Sequence, residues 1–168
     1  MRLLVIRHGI AMDQEKFALT GEPDENRPLT SKGERRMKRV AKGLRAQIKS
    51  LDLLVTSPLA RAVQTADIVA AAYRIGPPEV TTSLVPEAPP EEFENFCAGL
   101  HAKEMVAIVG HEPHLSSLVT WLMTGRNESR VRLRKGGACL LEFESEVRRD
   151  SGALSWLLTP RQLEKNGR

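Results

Sequence analysis

Arg7-His8-Gly9 ends a short apolar run, Leu3-Leu4-Val5-Ile6, and sets a guanidinium, an imidazole and a glycine side by side. Side chains alternate along a strand, so Arg7 and His8 converge on one point only where the backbone leaves extended geometry, which Gly9 permits. A second stretch, Ser57-Pro58-Leu59-Ala60-Arg61-Ala62-Val63-Gln64-Thr65-Ala66, places Arg61 one turn inside a helix. The dipole and free N–H groups of a helix N-terminus favour an anion there. A third stretch, Gly110-His111-Glu112-Pro113-His114, again carries a histidine from a strand into a helix. Phosphate is a natural guest at such a helix start, and His111 lies at the same sheet edge as His8. Taken singly, a strand-end histidine or a solvated arginine is the commoner reading of such residues. The pair His111 and His114 lacks a third ligand and a general-base glutamate in the HExxH register, so no metal site is expected. His114 is expected on the helix surface or at the pocket rim.

These residues must be positioned by elements that the hydrophobic pattern predicts. Strands are expected over Arg2 to Ile6, Asp52 to Thr56, Met105 to Val109, Ala138 to Phe143 and Ala153 to Leu158. Several are continuous apolar runs, as in strands covered on both faces. Helices are expected over Ser31 to Lys49, Pro58 to Tyr73, Pro90 to Leu100 and Pro113 to Met123. Ser31 with Glu34 has capping-box spacing, Ser57 is a cap with Pro58 first in its helix, and Pro113 opens another. Alternating strands and helices predict an α/β domain with a largely parallel sheet, and the two late strands an antiparallel edge. Ligands bind beyond the strand ends of such sheets. The stretches Ile10 to Pro28, Ile75 to Pro90 and Thr124 to Gly137 read as loops.

The chain has 168 residues, 41% of them hydrophobic and 27% charged, the proportions of one globular domain with a real core. Its 25 basic and 21 acidic side chains leave a net charge of +4, too modest to argue for nucleic acid. Aromatics are 4% of residues, and no stacking series or basic tail accompanies the charge. Cys97 and Cys139 are too few for a disulfide framework and read as reduced core thiols. No secretory h-region and no long apolar run is present, so the expectation is a cytoplasmic protein without membrane contact.

In order and spacing, Arg7-His8-Gly9, Ser57 to Ala66 and Gly110-His111-Glu112-Pro113 resemble the histidine phosphatase superfamily, also called phosphoglycerate-mutase-like. Asn26-Arg27-Pro28-Leu29-Thr30-Ser31-Lys32-Gly33 and Gly136-Gly137-Ala138-Cys139 narrow the likeness to its short SixA-type phosphohistidine phosphatases. The resemblance runs from Met1 to about Leu158 and implies a three-layer α/β/α histidine phosphatase domain over residues 1–160, with 161–168 as a C-terminal tail. It implies His8 as nucleophile, Arg7 and Arg61 holding the phosphoryl group, and His111 completing the pocket. Arg27 either contacts phosphate or anchors its own loop. His8 must be neutral while His111 is charged, so their pKa values are expected to be pushed apart.

The superfamily also offers an acid to the leaving oxygen, and Glu87 is the candidate by position, with an acidic solvated loop as the alternative. An imidazole leaving group demands less acid help than an alkoxide, so a poor acid position favours N–P over O–P substrates. The short connections after Gly9 and before Pro90 leave little for a lid, and an open groove suits a protein substrate. Basic residues crowd Lys32 to Lys49 and Arg126 to Lys135, where they steer an acidic phosphoprotein or form a solvated face. The expected activity is hydrolysis of phosphate from a histidine-phosphorylated protein domain, with inorganic phosphate as product and no cofactor. A small-molecule phosphomonoesterase and a noncatalytic phosphoprotein-binding module are the alternatives.

Overall fold

The computed structural model describes residues 1–100 and 102–167. Six strands form one mixed sheet: β1 (Arg2–Arg7), β2 (Leu53–Thr56), β3 (Glu79–Val80), β4 (Met105–Gly110), β5 (Ala138–Glu142) and β6 (Ala153–Leu158), in the order β3-β2-β4-β1-β5-β6. Strands β1, β2, β3 and β4 run parallel, while β5 and β6 continue the sheet antiparallel. Every residue of β4 is buried, as its unbroken Met-Val-Ala-Ile-Val-Gly run predicts for a central strand covered on both faces.

Helices α2 (Ser31–Gln47), α3 (Ala60–Tyr73) and α6 (Pro160–Asn166) cover one face, where Leu4, Ile6, Met37, Leu44, Val69 and Leu163 pack together. The other face carries α4 (Pro90–Cys97) and α5 (His114–Thr124) over Leu3, Val5, Phe93, Ile108, Leu118 and Leu122. The result is a three-layer α/β/α architecture with the mostly parallel sheet that the sequence pattern predicts. Cys97 and Cys139 are buried free thiols in the second layer of packing. Among the described residues no helix is long and apolar enough to cross a membrane.

The helix starts differ from expectation in ways that bear on the site. Thr30, not Ser31, caps α2, because its Oγ1 accepts from Gly33 N at 3.0 Å and a cap residue must still be extended. Helix α3 starts at Ala60 with Leu59 as its cap residue, and the Ser57 hydroxyl only weakly accepts from Leu59 N, at 3.4 Å. Pro113 follows a cis peptide bond and precedes α5 instead of opening it. The segment taken as a tail forms α6, set by a capping box at Thr159 and Gln162 and anchored by buried Pro160 and Leu163; Arg168 lies outside the described residues. The stretch Ile10 to Pro28 holds α1 (Gln14–Ala18) and a short tight helix over Asp24–Asn26, neither of which its polar sequence displays as periodicity.

Candidate active site

Parallel pairing brings the two histidines together. Arg7 is in register with Gly110, so β1 and β4 end side by side, and His8 and His111 are the next residue on each. The His8 backbone N–H donates to Gly110 O at 3.1 Å, and the ring centroids of His8 and His111 stand 5.0 Å apart. Strand β2 ends on the same edge, where Ser57 N donates to Val109 O at 3.0 Å and Ser57 Oγ lies 2.9 Å from His111 Nε2. Gly9 N donates to Thr65 Oγ1 at 3.0 Å, and that hydroxyl donates to Arg61 O at 2.7 Å, tying the turn after β1 to the first turns of α3.

A cleft of about 530 Å³ opens at this edge, and Arg7, His8, Arg27, Arg61 and His111 all line it. His8 Nδ1 lies 2.7 Å from Gly9 O. A carbonyl oxygen only accepts, so in the neutral ring Nδ1 carries the proton and Nε2 keeps its lone pair. Nε2 makes no hydrogen bond to any described residue. Arg7 donates through Nη1 to Leu133 O at 2.8 Å. Arg61, 5% exposed although it sits on a helix, is held by Asp24, whose O accepts from Nη1 at 2.9 Å and whose Oδ2 lies 3.1 Å from Nη2.

Asp24, like Ser57 beside His111, is a site residue that the sequence does not reveal in this role. Its other carboxylate oxygen pairs with Arg27 Nε at 2.6 Å, while Arg27 Nη1 donates to Met12 O at 2.8 Å. Arg27 thus anchors its loop while lining the cleft. No sequence motif marks Asp24, since an aspartate in a polar loop reads as solvated, and its partner Arg61 lies 37 positions away along the chain. Glu112 also lines the cleft, but its carboxylate is engaged by Ser116 Oγ and by Leu133 N. Glu87 is exposed beside Pro86, which lines the cleft, and its charge opposes the lowering of Arg61 and of His114. His114 is buried with both ring nitrogens unpartnered, against the expectation of a surface or rim position, because α5 turns its first residue inward.

Burial dominates the electrostatics. It pushes His8 down to about 3, with the Gly9 carbonyl opposing and the charges of Arg61, Arg7 and Lys135 adding to the shift. It pushes His111 down to about 2, with His8, Arg61, His114 and Arg7 adding to it. The expected separation of the two values is therefore not what this cleft produces: burial acts on both rings alike, and the neighbouring charges are cationic. The same burial lowers Arg61, against the opposing carboxylate of Asp24, and lowers Arg7, against Glu112. Asp24 is held below the usual carboxylate range chiefly by its hydrogen bond from Arg27. Among the described residues no group of three or more His, Cys, Asp or Glu is placed to hold a metal ion.

Known proteins resemble this chain at two levels, in fold and in sequence. Solved structures that share the fold include the protein histidine phosphatase SixA complexed with tungstate, with a TM-score of 0.81 at 23% identity over 97% of this chain and 99% of that one. The alpha-ribazole phosphatase from Shigella flexneri superposes with a TM-score of 0.73 at 19% identity, over 95% of this chain and 97% of that one. An uncharacterized protein of Picosynechococcus sp. is 39% identical over 142 residues, 82% of each chain. The model of the histidine phosphatase superfamily (branch 1) matches residues 3–85, a span that contains Arg7, His8, Asp24, Arg27 and Arg61. On this sequence and fold likeness, the chain belongs to the histidine phosphatase superfamily.

Proposed function

We propose that this protein is a phosphohistidine phosphatase that removes phosphate from a histidine-phosphorylated protein through a covalent intermediate on His8. The observation that carries the reading is the His8 ring, whose Nδ1 is committed to Gly9 O and whose Nε2 lone pair is left for attack inside a cleft lined by Arg7, Arg61 and His111. His8 Nε2 bonds to phosphorus as the substrate's P–N bond breaks, and the substrate imidazole, protonated on its other nitrogen, leaves as a neutral ring. Water then attacks phosphorus, loses a proton, and returns the electron pair of the P–N bond to His8, releasing inorganic phosphate. Burial keeps His8 neutral, so the nucleophile needs no deprotonation at ordinary pH. Arg7 and Arg61 receive the phosphoryl oxygens, with Arg27 behind them, and the anion's charge raises the proton affinity of His111 so that it donates to the transferring group.

An exposed acid supports an N–P substrate. Glu87 is solvated at the rim beside Pro86, close enough for its charge to reach Arg61 and His114, and Glu112 is engaged by two donors, whereas an imidazole leaving group needs little proton assistance. The fold likeness to a protein named histidine phosphatase SixA agrees with this choice, and the likeness to an alpha-ribazole phosphatase keeps phosphomonoesters as the competing substrate class.

The deciding experiment measures phosphate release from a histidine-phosphorylated carrier domain, a phosphoserine peptide and an aryl phosphate, with the intact protein and with His8→Ala. Release from phosphohistidine alone, reduced about a thousandfold or more by His8→Ala, is the expected result. Turnover of only the aryl phosphate would make the protein a small-molecule phosphatase. Binding of the phosphorylated domain with no turnover of any substrate would make it a recognition module.

A further inference from the structure

Next to the phosphoryl cleft lies a second one of about 540 Å³, which shares Arg7 and Lys135 with it. Its walls carry five cations, Arg7, Arg36, Arg134, Lys135 and Arg161, and no carboxylate. The contrast with the first cleft is in compensation. There Asp24 pairs with both Arg61 and Arg27, whereas the exposed side chains of Arg134, Lys135 and Arg161 make no hydrogen bond or ion pair with any described residue. Among the described residues Arg36 alone of the five forms an ion pair, with Glu164 at 3.4 Å, which also serves Arg39, while Arg7 feels the charge of Glu112 without a direct contact. Like charges gathered in one depression repel one another and create a field that attracts anions.

The cations come from separate segments, Arg134 and Lys135 from the chain just before β5 and Arg161 from α6, and these three are exposed to solvent where Arg61, His8 and His111 of the first cleft are buried. A small anion is gripped by buried donors converging on one point, as in the first cleft. Exposed cations spread along a rim instead match carboxylates displayed on another protein's surface, where charge sets encounter and register. The basic strip also continues past Arg36 and Arg161 to Arg39, Lys42 and Lys165, farther than a small molecule extends.

We propose that this second cleft docks acidic side chains of the phosphohistidine-bearing protein, so that the preferred substrate is a phosphohistidine with carboxylates beside it. The inference rests on the reading of the phosphoryl site given above, and adds to it the chemical class of the substrate surface.

The test uses the full chain with His8→Ala, which leaves phosphohistidine intact, and two labelled peptides that flank one phosphohistidine with glutamates or with glutamines. Fluorescence anisotropy should show the glutamate peptide binding roughly fivefold tighter or more at low ionic strength. That advantage should shrink as salt rises and vanish in Arg134→Ala/Arg161→Ala. Equal affinity for the two peptides, or a preference that survives the double substitution, would overturn the proposal. Tighter binding of a small bisphosphate or an oligonucleotide through the same two arginines would overturn it as well.

With His8 restored, the double variant should lose its preference for the glutamate peptide through KM, with kcat and the hydrolysis of phosphoramidate unchanged. A loss in kcat on phosphoramidate would show that the arginines shape the phosphoryl site instead, and would overturn the docking role. If neither peptide is dephosphorylated while the charge-dependent binding persists, the proposed reaction fails and the docking cleft stands.

Discussion

At the scale of single residues, Asp24 decides how the phosphoryl cleft meets its ligand. Its carboxylate already occupies Arg61 and Arg27, so an incoming phosphoryl group exchanges with an anion that is covalently part of the wall. Removing that charge in Asp24→Asn is expected to lower the inhibition constant of inorganic phosphate by roughly fivefold, the effect of one partly exposed ion pair. Inhibition titrations alongside a thermal melt check this, and an unchanged or higher constant would make Asp24 a positioning residue only. His8, Arg7, Arg61 and His111 were legible in the sequence because each lies beside a strand end or a helix start with a distinctive neighbour. Asp24 and Ser57 were not legible in these roles. The first acts across 37 positions to Arg61, and the second was assigned to a helix cap when its hydroxyl instead faces His111.

Among the elements, α2 positions the site by close approach. A Cβ on Gly33 would stand 2.1 Å from Ile10 O, and one on Gly43 would stand 1.9 Å from Leu163 O. The first glycine lets the helix touch the segment that walls the phosphoryl cleft, and the second lets it touch α6. Both Gly→Ala variants should lose about 1–3 kcal/mol of stability in urea denaturation, since a backbone atom cannot step aside as a flexible side chain does. Only Gly33→Ala should also lower kcat/KM, by displacing the loop that holds Arg27; equal activity losses in both would refute this separation. The long, strongly patterned elements β1, β4, α2 and α3 were legible from periodicity. The two-residue β3, α1 and α6 were too short to show a period, and they form because the larger elements give them a surface on which to pack.

For the whole molecule, the buried histidines couple stability to pH. His8, His111 and His114 all have lowered proton affinity, with burial as the leading cause. The unfolded chain takes up protons at these rings near the ordinary value of 6.5, whereas the folded chain refuses them until about 3 at His8 and about 2 at His111, and takes one up at His114 only below that ordinary value. The unfolded state therefore binds more protons below that value, and stability, unaffected by these rings above it, falls as the solution is acidified. The expected slope is about 1 kcal/mol per pH unit for His8 and for His111, with a further contribution of the same sign from His114. Urea midpoints at pH 7.5 and 5.0 measure it. His114→Leu, which removes two unpartnered nitrogens, should reduce the slope, and an unaltered slope would place the proton uptake elsewhere.

The turn that carries His8 is tethered from three neighbouring directions. His8 N is bonded to Gly110 O, His8 O receives Gly136 N at 3.0 Å, and Gly9 N is bonded to Thr65 Oγ1. The nucleophile is thus mounted on the sheet and on α3 by its main chain, and its aim does not depend on an arriving substrate. A centre built in this way is a fixed anvil: selectivity belongs to the approach path, and the surrounding loops can diverge in composition and length without retuning the reactive atom.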